Sequence, residues 1–190
     1  MDVQPSNKKP IDVTAMFPPV ADIEDETLRS AVIAIWEELW EMSAWEDVNE
    51  VPTSPEIPYP TIPHNQCVLA MALAVADCFE HYHNLHVDRD CLIAAAVLQD
   101  ASKVVEYVRG DDGKMVHTEI GNNAPHAFWT AHLAAKHGLT GDLLNIILTH
   151  SPQAPKFPNS LEGKILYYVD QIDVLGIYKD RWRKDLYITK

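Results

Sequence analysis

Eight apolar residues in a row, Cys91 to Leu98, run straight into Gln99 and Asp100. A helix that is apolar on every side has no solvent face and must lie among other elements. The amide and carboxylate at its end are carried inside with it. Polar groups that deep must be paired or must bind something. Seven glycines in 190 residues, and no strand alternation of any length, favour helices as the surrounding elements. The chain is therefore expected to fold as an all-α helical bundle with a polar centre at Asp100.

Further helices are expected on both sides. Asp22 can cap one whose first turn is acidic (Glu24, Asp25, Glu26), as the helix dipole favours. Its apolar residues Leu28, Val32, Ile35, Trp36, Leu39 and Trp40 recur at three and four, giving one buried stripe as far as about Trp45. Residues 51–63 carry five prolines and are expected as an extended surface strap, because no helix survives that spacing. An alanine-rich helix from His64 to about His83 looks central. Asp88 can cap the next, expected to run through Asp100 and Lys103 to about Val108. Residues 109–124 form a polar loop long enough to cover a site. Pro125 is placed at the first position of a helix carrying His126, Phe128, Trp129 and Leu133, with Gly138 as its end. Thr140 caps a short helix ending at His150, and Ser160 opens the last long one. Residues 1–21 are expected as a loosely packed arm and 22–190 as one domain, its core spanning about 60–180. The tail LYITK is expected as a short extended piece.

The formal net charge of -13 repels nucleic acid and anionic lipid, so neither is expected as a partner. No apolar run approaches the length needed to span a bilayer, and the N-terminal residues lack a signal-peptide core. Cys67, Cys78 and Cys91 form no CxxC pair and read as reduced core cysteines, consistent with a cytoplasmic protein.

Around Asp100 stand His64, thirty-six residues before it, and His126, His150 and Asp170, which follow it by twenty-six, fifty and seventy. Imidazoles and carboxylates drawn from several helices suit one or two divalent metals. This ordered set resembles the HD-domain superfamily of metal-dependent phosphohydrolases. His64 matches the helix-starting histidine and Gln99-Asp100 the His-Asp doublet. LQDASK is similar to the Leu-His-Asp-x-x-Lys run, and His126, His150 and Asp170 match the later ligands. The resemblance spans about residues 60–180. It implies an HD-like bundle with a first metal site of His64, Asp100 and Asp170. A second site would use Asp100, His126 and His150, with Asp100 bridging. Gln99 departs from the family pattern and can add only a neutral carbonyl oxygen. Site one is therefore expected to be weakened, or shifted toward Mn or Mg. Fe, Mn, Zn, Ni and Co are the candidate ions, one or two of them.

The resemblance gives Lys103 a substrate-facing role, binding an anionic group. The alternatives are a lysine reaching to solvent or a salt bridge to Glu106. Asp173, three residues after Asp170, either orients a ligand or caps exposed surface. His117 can reach the site as a lid residue, and Tyr167 can line the pocket. His81, His83 and His86 read as helix-end residues, His132 and His137 as structural or surface ones.

The leading function is a metal-dependent hydrolase acting on a small polar, anionic substrate through metal-activated water. Asp100 and Lys103 are its catalytic candidates, and a phosphate ester or nucleotide is the family default. An HD-like non-haem iron oxygenase cleaving a C–P or C–C bond is the second reading, and a non-catalytic ligand-binding HD-like protein is the third. A small molecule is the expected partner. The aromatic first helix and the Pro-rich strap offer a surface for a homo-oligomer.

Overall fold

The computed structural model describes residues 8–55 and 57–178, and they are mostly helical. Helix α1 (Val13–Met16) leads into a 3-10 turn, Pro18–Asp22, and then into α2 (Glu26–Met42). The cap of α2 is Asp25, whose carboxylate accepts from Thr27 and Leu28 N–H at 2.8 and 3.1 Å. It is not Asp22. The Asp90 carboxylate takes the Glu24 and Asp25 N–H groups at 3.0 and 2.8 Å, so those amides are spent before the helix begins. Of the segment expected as a loose arm, the described part from Val13 onward belongs to the core. Val13, Phe17, Val20 and Ile23 are buried, and the Phe17 ring lies 5.6 Å from that of Trp36.

The proline-rich stretch folds as an antiparallel hairpin of β1 (Pro52–Ser54) and β2 (Ile57–Pro60), with Pro52 opposite Pro60. Helix α3 (Thr61–His83) follows at once, with Pro63 in the first turn, where no intrahelical N–H is lost. With 23 residues, α3 is long and apolar enough to cross a bilayer, contrary to the sequence expectation. Here it packs against α4 (Arg89–Leu98) and α9 (Leu161–Ile177), with His64 and Asn65 fully buried.

Helix α4 is the centre of the bundle, touching α2, α3, α8 (Asp142–Thr149) and α9. Leu92, Val97 and Leu98 are wholly buried, each stabilising the fold by roughly 1.5–3 kcal/mol. Its open C-terminal end is partly satisfied by Trp36, whose Nε1–H donates to the Val97 carbonyl at 3.0 Å. The helix expected to continue to Val108 stops at Leu98. Residues 99–102 tighten into i→i+3 turns, with Ala101 N–H on Leu98 O and Lys103 N–H on Asp100 O, both at 3.1 Å. The Ser102 N–H leaves the chain's own ladder for Thr130 Oγ1, at 3.0 Å. A single turn, α5 (Lys103–Glu106), then opens into a hairpin of β3 (Tyr107–Arg109) and β4 (Met115–His117). The expected polar loop is thus a hairpin followed by α6 (Glu119–Asn123).

Helix α7 (Phe128–Lys136) begins three residues after Pro125. Ala127 is left-handed at φ 63°, so His126 sits in the turn before α7 and not within it. Gly138, also left-handed at φ +81°, follows its end. The residue capping α8 is Gly141, not Thr140, and it makes no side-chain cap bond. Ser160 caps α9 as expected, its hydroxyl accepting from Gly163 N–H at 3.1 Å. At Gly163 a Cβ would lie 2.7 Å from Pro158 Cβ and 3.0 Å from Ile146 Cγ1, so this glycine sets how closely α8 and the loop before α9 approach it. The cysteines are not core residues: Cys67 and Cys78 are exposed and Cys91 is half-buried. The tail LYITK lies outside the described residues.

Candidate metal centre

Five elements deliver side chains to one buried point. The first turn of α3 brings His64, and the tightened turn after α4 brings Asp100. The turn before α7 brings His126, the end of α8 brings His150, and α9 brings Asp170 and Asp173. The carboxylate of Asp100 is divided between two groups. Its Oδ2 lies 3.2 Å from His64 Nε2 and 2.7 Å from Lys103 Nζ. Its Oδ1 lies 3.0 Å from His126 Nε2 and 3.6 Å from His150 Nε2. Asp170 Oδ1 completes the first group at 3.2 Å from His64 Nε2. In each triad, His64–Asp100–Asp170 and Asp100–His126–His150, the ligand atoms lie within 4.8 Å of one another.

All three histidines turn Nε2 inward, and in each the other nitrogen is held. His64 Nδ1 meets Asp173 Oδ2 at 2.6 Å, and His126 Nδ1 meets Glu106 Oε2 at 2.9 Å. His150 Nδ1 donates to the Ile147 carbonyl at 2.8 Å. An Nδ1–H fixed by an oxygen sets the tautomer that leaves Nε2 as a lone-pair donor, the form a metal requires.

Without an ion, protons fill that role. Burial opposes a charged His64, but the Asp100, Asp170 and Asp173 carboxylates outweigh it and raise its pKa to about 11. Burial likewise opposes a charged His126, and Glu106 with Asp100 raises its pKa to about 9. Against the cost of burial, the Lys103 ammonium and the imidazoles of His126, His150 and His64 hold the Asp100 carboxyl well below the usual carboxylate range. Glu106 is also lowered, because His126 and the bonds from Ser102 and Ala127 outweigh its burial.

The donor set fits a divalent cation: neutral imidazole nitrogens with carboxylate oxygens, in two groups that share one carboxylate. Gln99 adds to the fit. Its side chain is fully buried beside Asp100, and neither Oε1 nor Nε2 has a hydrogen-bond partner. A buried amide left unpaired costs about 1–3 kcal/mol, and a cation bound by its carbonyl would remove part of that cost.

The structure brings together His64, Asp100, Lys103, His126, His150, Asp170 and Asp173. Lys103 neither reaches solvent nor pairs with Glu106, because the tightened turn folds it back onto Asp100. His117 is exposed and packs its ring 5.0 Å from that of Tyr107. Tyr167 belongs to an aromatic cluster with Phe157 and Tyr168. Sequence reasoning missed Glu106, which is buried and accepts from Ser102 Oγ at 2.6 Å and Ala127 N–H at 3.2 Å while holding His126. The available signal was a carboxylate directly after Val104 and Val105 in a buried stretch.

No family model matches the chain, and no solved structure matches it. Over 113 residues it is 33% identical to the dihydroneopterin 2',3'-cyclic phosphate phosphodiesterase of Methanocaldococcus jannaschii. That stretch is 59% of this chain, and it spans 45% of the relative, a little under half its length.

Proposed function

We propose that the chain is a metal-dependent phosphohydrolase of the HD-like kind, acting on a small phosphate ester. The observation that carries this reading is the division of Asp100, with one oxygen toward His64 and the other toward His126 and His150. A carboxylate so placed can serve two cations at once. The similarity to a phosphodiesterase supports the same chemistry. His64, Asp100 and Asp170, with the Gln99 carbonyl, would hold one ion. Asp100, His126 and His150 would hold the other. Such ions, when bound, supply Lewis-acid stabilisation of phosphoryl oxygens and lower the pKa of water nearby.

The chain's own groups do the remaining work. Lys103 brings a buried positive charge to the Asp100 carboxylate, where it offsets negative charge developing on a phosphoryl group. Asp173 and Glu106 keep the His64 and His126 rings from rotating, so their Nε2 atoms stay aimed at the reacting centre. His126 is the most open member of the triads, its side chain 21% exposed, and Asp170 follows at 10%. Substrate enters on the side of those two residues. The net charge of -13 favours a small molecule over nucleic acid.

The relative's name makes a pterin-bearing cyclic phosphodiester the first substrate to try. The test is chromatographic detection of phosphomonoester formation from dihydroneopterin 2',3'-cyclic phosphate. It is run after reconstitution with Mn, Fe, Zn, Ni or Co in turn, beside the Asp100→Asn variant. Turnover by the wild type alone is the expected result. A protein that holds metal yet converts neither this ester nor bis(p-nitrophenyl) phosphate, or that consumes dioxygen instead, would overturn the reading.

A further inference from the structure

Among the described residues, five buried side-chain polar atoms have no hydrogen-bond partner: Thr61 Oγ1, Asn65 Oδ1 and Nδ2, and Gln99 Oε1 and Nε2. All five belong to neighbours of one triad. Thr61 precedes His64 by three residues and Asn65 by four, so it shares a face of α3 with both. Gln99 stands directly before Asp100. The chain from α4 to Asp100 runs antiparallel to α3, with Arg89 Nη2 on Asp77 Oδ1 at 2.6 Å and His64 Nε2 beside Asp100 Oδ2 at 3.2 Å. Those two rungs put Asn65 level with Gln99. Thr61, Asn65 and Gln99 are wholly buried, and polar groups so placed normally have a partner or meet a ligand.

The Asp100–His126–His150 triad is surrounded differently. Glu106 is engaged by Ser102, Ala127 and His126, and Thr130 Oγ1 accepts from Ser102 N–H. Thr149 Oγ1, beside His150, donates to the Asn145 carbonyl at 2.6 Å. That triad offers two imidazoles and one carboxylate oxygen. The His64 triad offers one imidazole and two carboxylates, and the unpartnered oxygens near it are all neutral. Imidazole suits Zn and Fe, whereas carboxylate, carbonyl and water suit Mg and Mn. Mg gives up its waters reluctantly, and waters held by a cation need acceptors. Amide and hydroxyl oxygens are such acceptors.

We propose that the two triads take different ions. His64, Asp100 and Asp170 receive a hard, hydrated cation, Mg or Mn, and Asp100, His126 and His150 receive a borderline one such as Zn or Fe. The inference rests on the two-cation reading of Asp100 and gives each site its own metal. Gln99 is a direct ligand of the hard ion through its carbonyl oxygen. Asn65 and Thr61 are positioning residues, accepting hydrogen bonds from the water that this ion keeps. With one imidazole in place of two, the site gives Zn less advantage over Mn or Mg than its neighbour does.

The experiment uses the full chain, stripped of metal and given one equivalent of Zn with an excess of Mn. Elemental mass spectrometry should find about one of each ion per chain, and electron paramagnetic resonance should show isolated Mn alone. Spin-coupled Mn pairs would show that Zn does not choose between the triads and would overturn the proposal. Mg in place of Mn should give the same one-to-one content. Variants then locate the hard ion. Asn65→Leu and Thr61→Val should each weaken Mn binding about tenfold and leave Zn affinity within a few-fold of wild type. Each also removes an unpartnered buried group, so the melting temperature of metal-free protein should hold or rise. A residue needed only for the fold would lower it. Gln99→His supplies a second imidazole, and about tenfold less Zn should then displace Mn from this site. Unchanged Mn binding in all three variants overturns the proposal. The two failures are distinct: one ion per chain under every condition sinks the two-cation reading itself, whereas two ions filling both triads alike in wild type and Gln99→His sink the mixed-metal assignment alone.

Discussion

Replacing Glu106 by glutamine tests how the second triad is built. The carboxylate of Glu106 has two different tasks. Its Oε1 accepts from Ser102 Oγ at 2.6 Å and from the Ala127 amide at 3.2 Å, while its Oε2 faces His126 Nδ1 at 2.9 Å. The Ala127 N–H can only donate, so the amide oxygen of the glutamine must take the Oε1 position. Its NH2 group then points at His126 Nδ1 and makes that nitrogen the acceptor. The ring proton moves to Nε2, which in the native arrangement faces Asp100 Oδ1 at 3.0 Å and is the proposed metal donor. The substitution thus keeps shape and hydrogen-bond count and inverts one tautomer. Changes to groups that orient a ligand cost roughly 10- to 100-fold in metal affinity, or about 1.4–2.8 kcal/mol. Competition against a chromophoric chelator reads this directly. One of the two ions should weaken by that factor, while the ion at His64, Asp100 and Asp170 stays within a few-fold of wild type. Equal affinity for both ions in variant and wild type would refute the tautomer argument. Equal loss of both ions would show that Glu106 supports the fold and not His126 alone.

Metal binding should release protons, because the metal-free protein keeps His64 and His126 charged at pH 7, with pKa values near 11 and 9. Calorimetric titrations in buffers of differing ionisation enthalpy should show net proton release, with affinity rising as pH rises toward 9; identical heats in all buffers would contradict it. The same raised values give the metal-free fold a stabilising contribution that is complete below the unfolded histidine pKa of about 6.5. The His126 part is lost as pH rises through about 9 and the His64 part only through about 11, so the melting temperature of metal-free protein should fall between pH 7 and 10. Gly121→Ala should also weaken the second ion. A Cβ there would lie within 2.3 Å of the Glu106 carbonyl oxygen, a backbone clash that α5 or α6 must relieve by moving. A stability loss of roughly 1–3 kcal/mol is expected, at about 2–4 °C of melting temperature per kcal/mol; an unchanged Tm and chelator titration would show that Glu106 tolerates the shift.

The residues of the centre were legible in the sequence because burial makes polar residues conspicuous. Gln99 and Asp100 follow eight apolar residues, and a carboxylate so placed needs partners. Asp173 was legible from its spacing to Asp170 on a helix. Backbone detail hid the rest. The helix signal through Val104 and Val105 gives no sign that the chain tightens at residues 99–102, a turn that depends on the hydroxyl of Thr130, a residue 28 positions away. That turn folds Lys103 back onto Asp100, and the short α5 after it carries Glu106 to His126. The proline rule placed His126 inside α7, but a left-handed Ala127, with its N–H held by Glu106, ends that pattern. The first residues read as a loose arm because prolines and polar residues dominate them. The spacing of Val13, Phe17 and Val20, four and three apart, was the buried stripe to notice.

The central claim is that Asp100 serves two cations, and metal content per chain tests it most directly. Wild type and Asp100→Asn are reconstituted anaerobically, and bound metal is counted by elemental mass spectrometry, with circular dichroism confirming that the variant folds. The account predicts about two ions per chain in the wild type, one at each triad, and neither retained in the variant. A folded Asp100→Asn protein that keeps either ion at wild-type stoichiometry would contradict it.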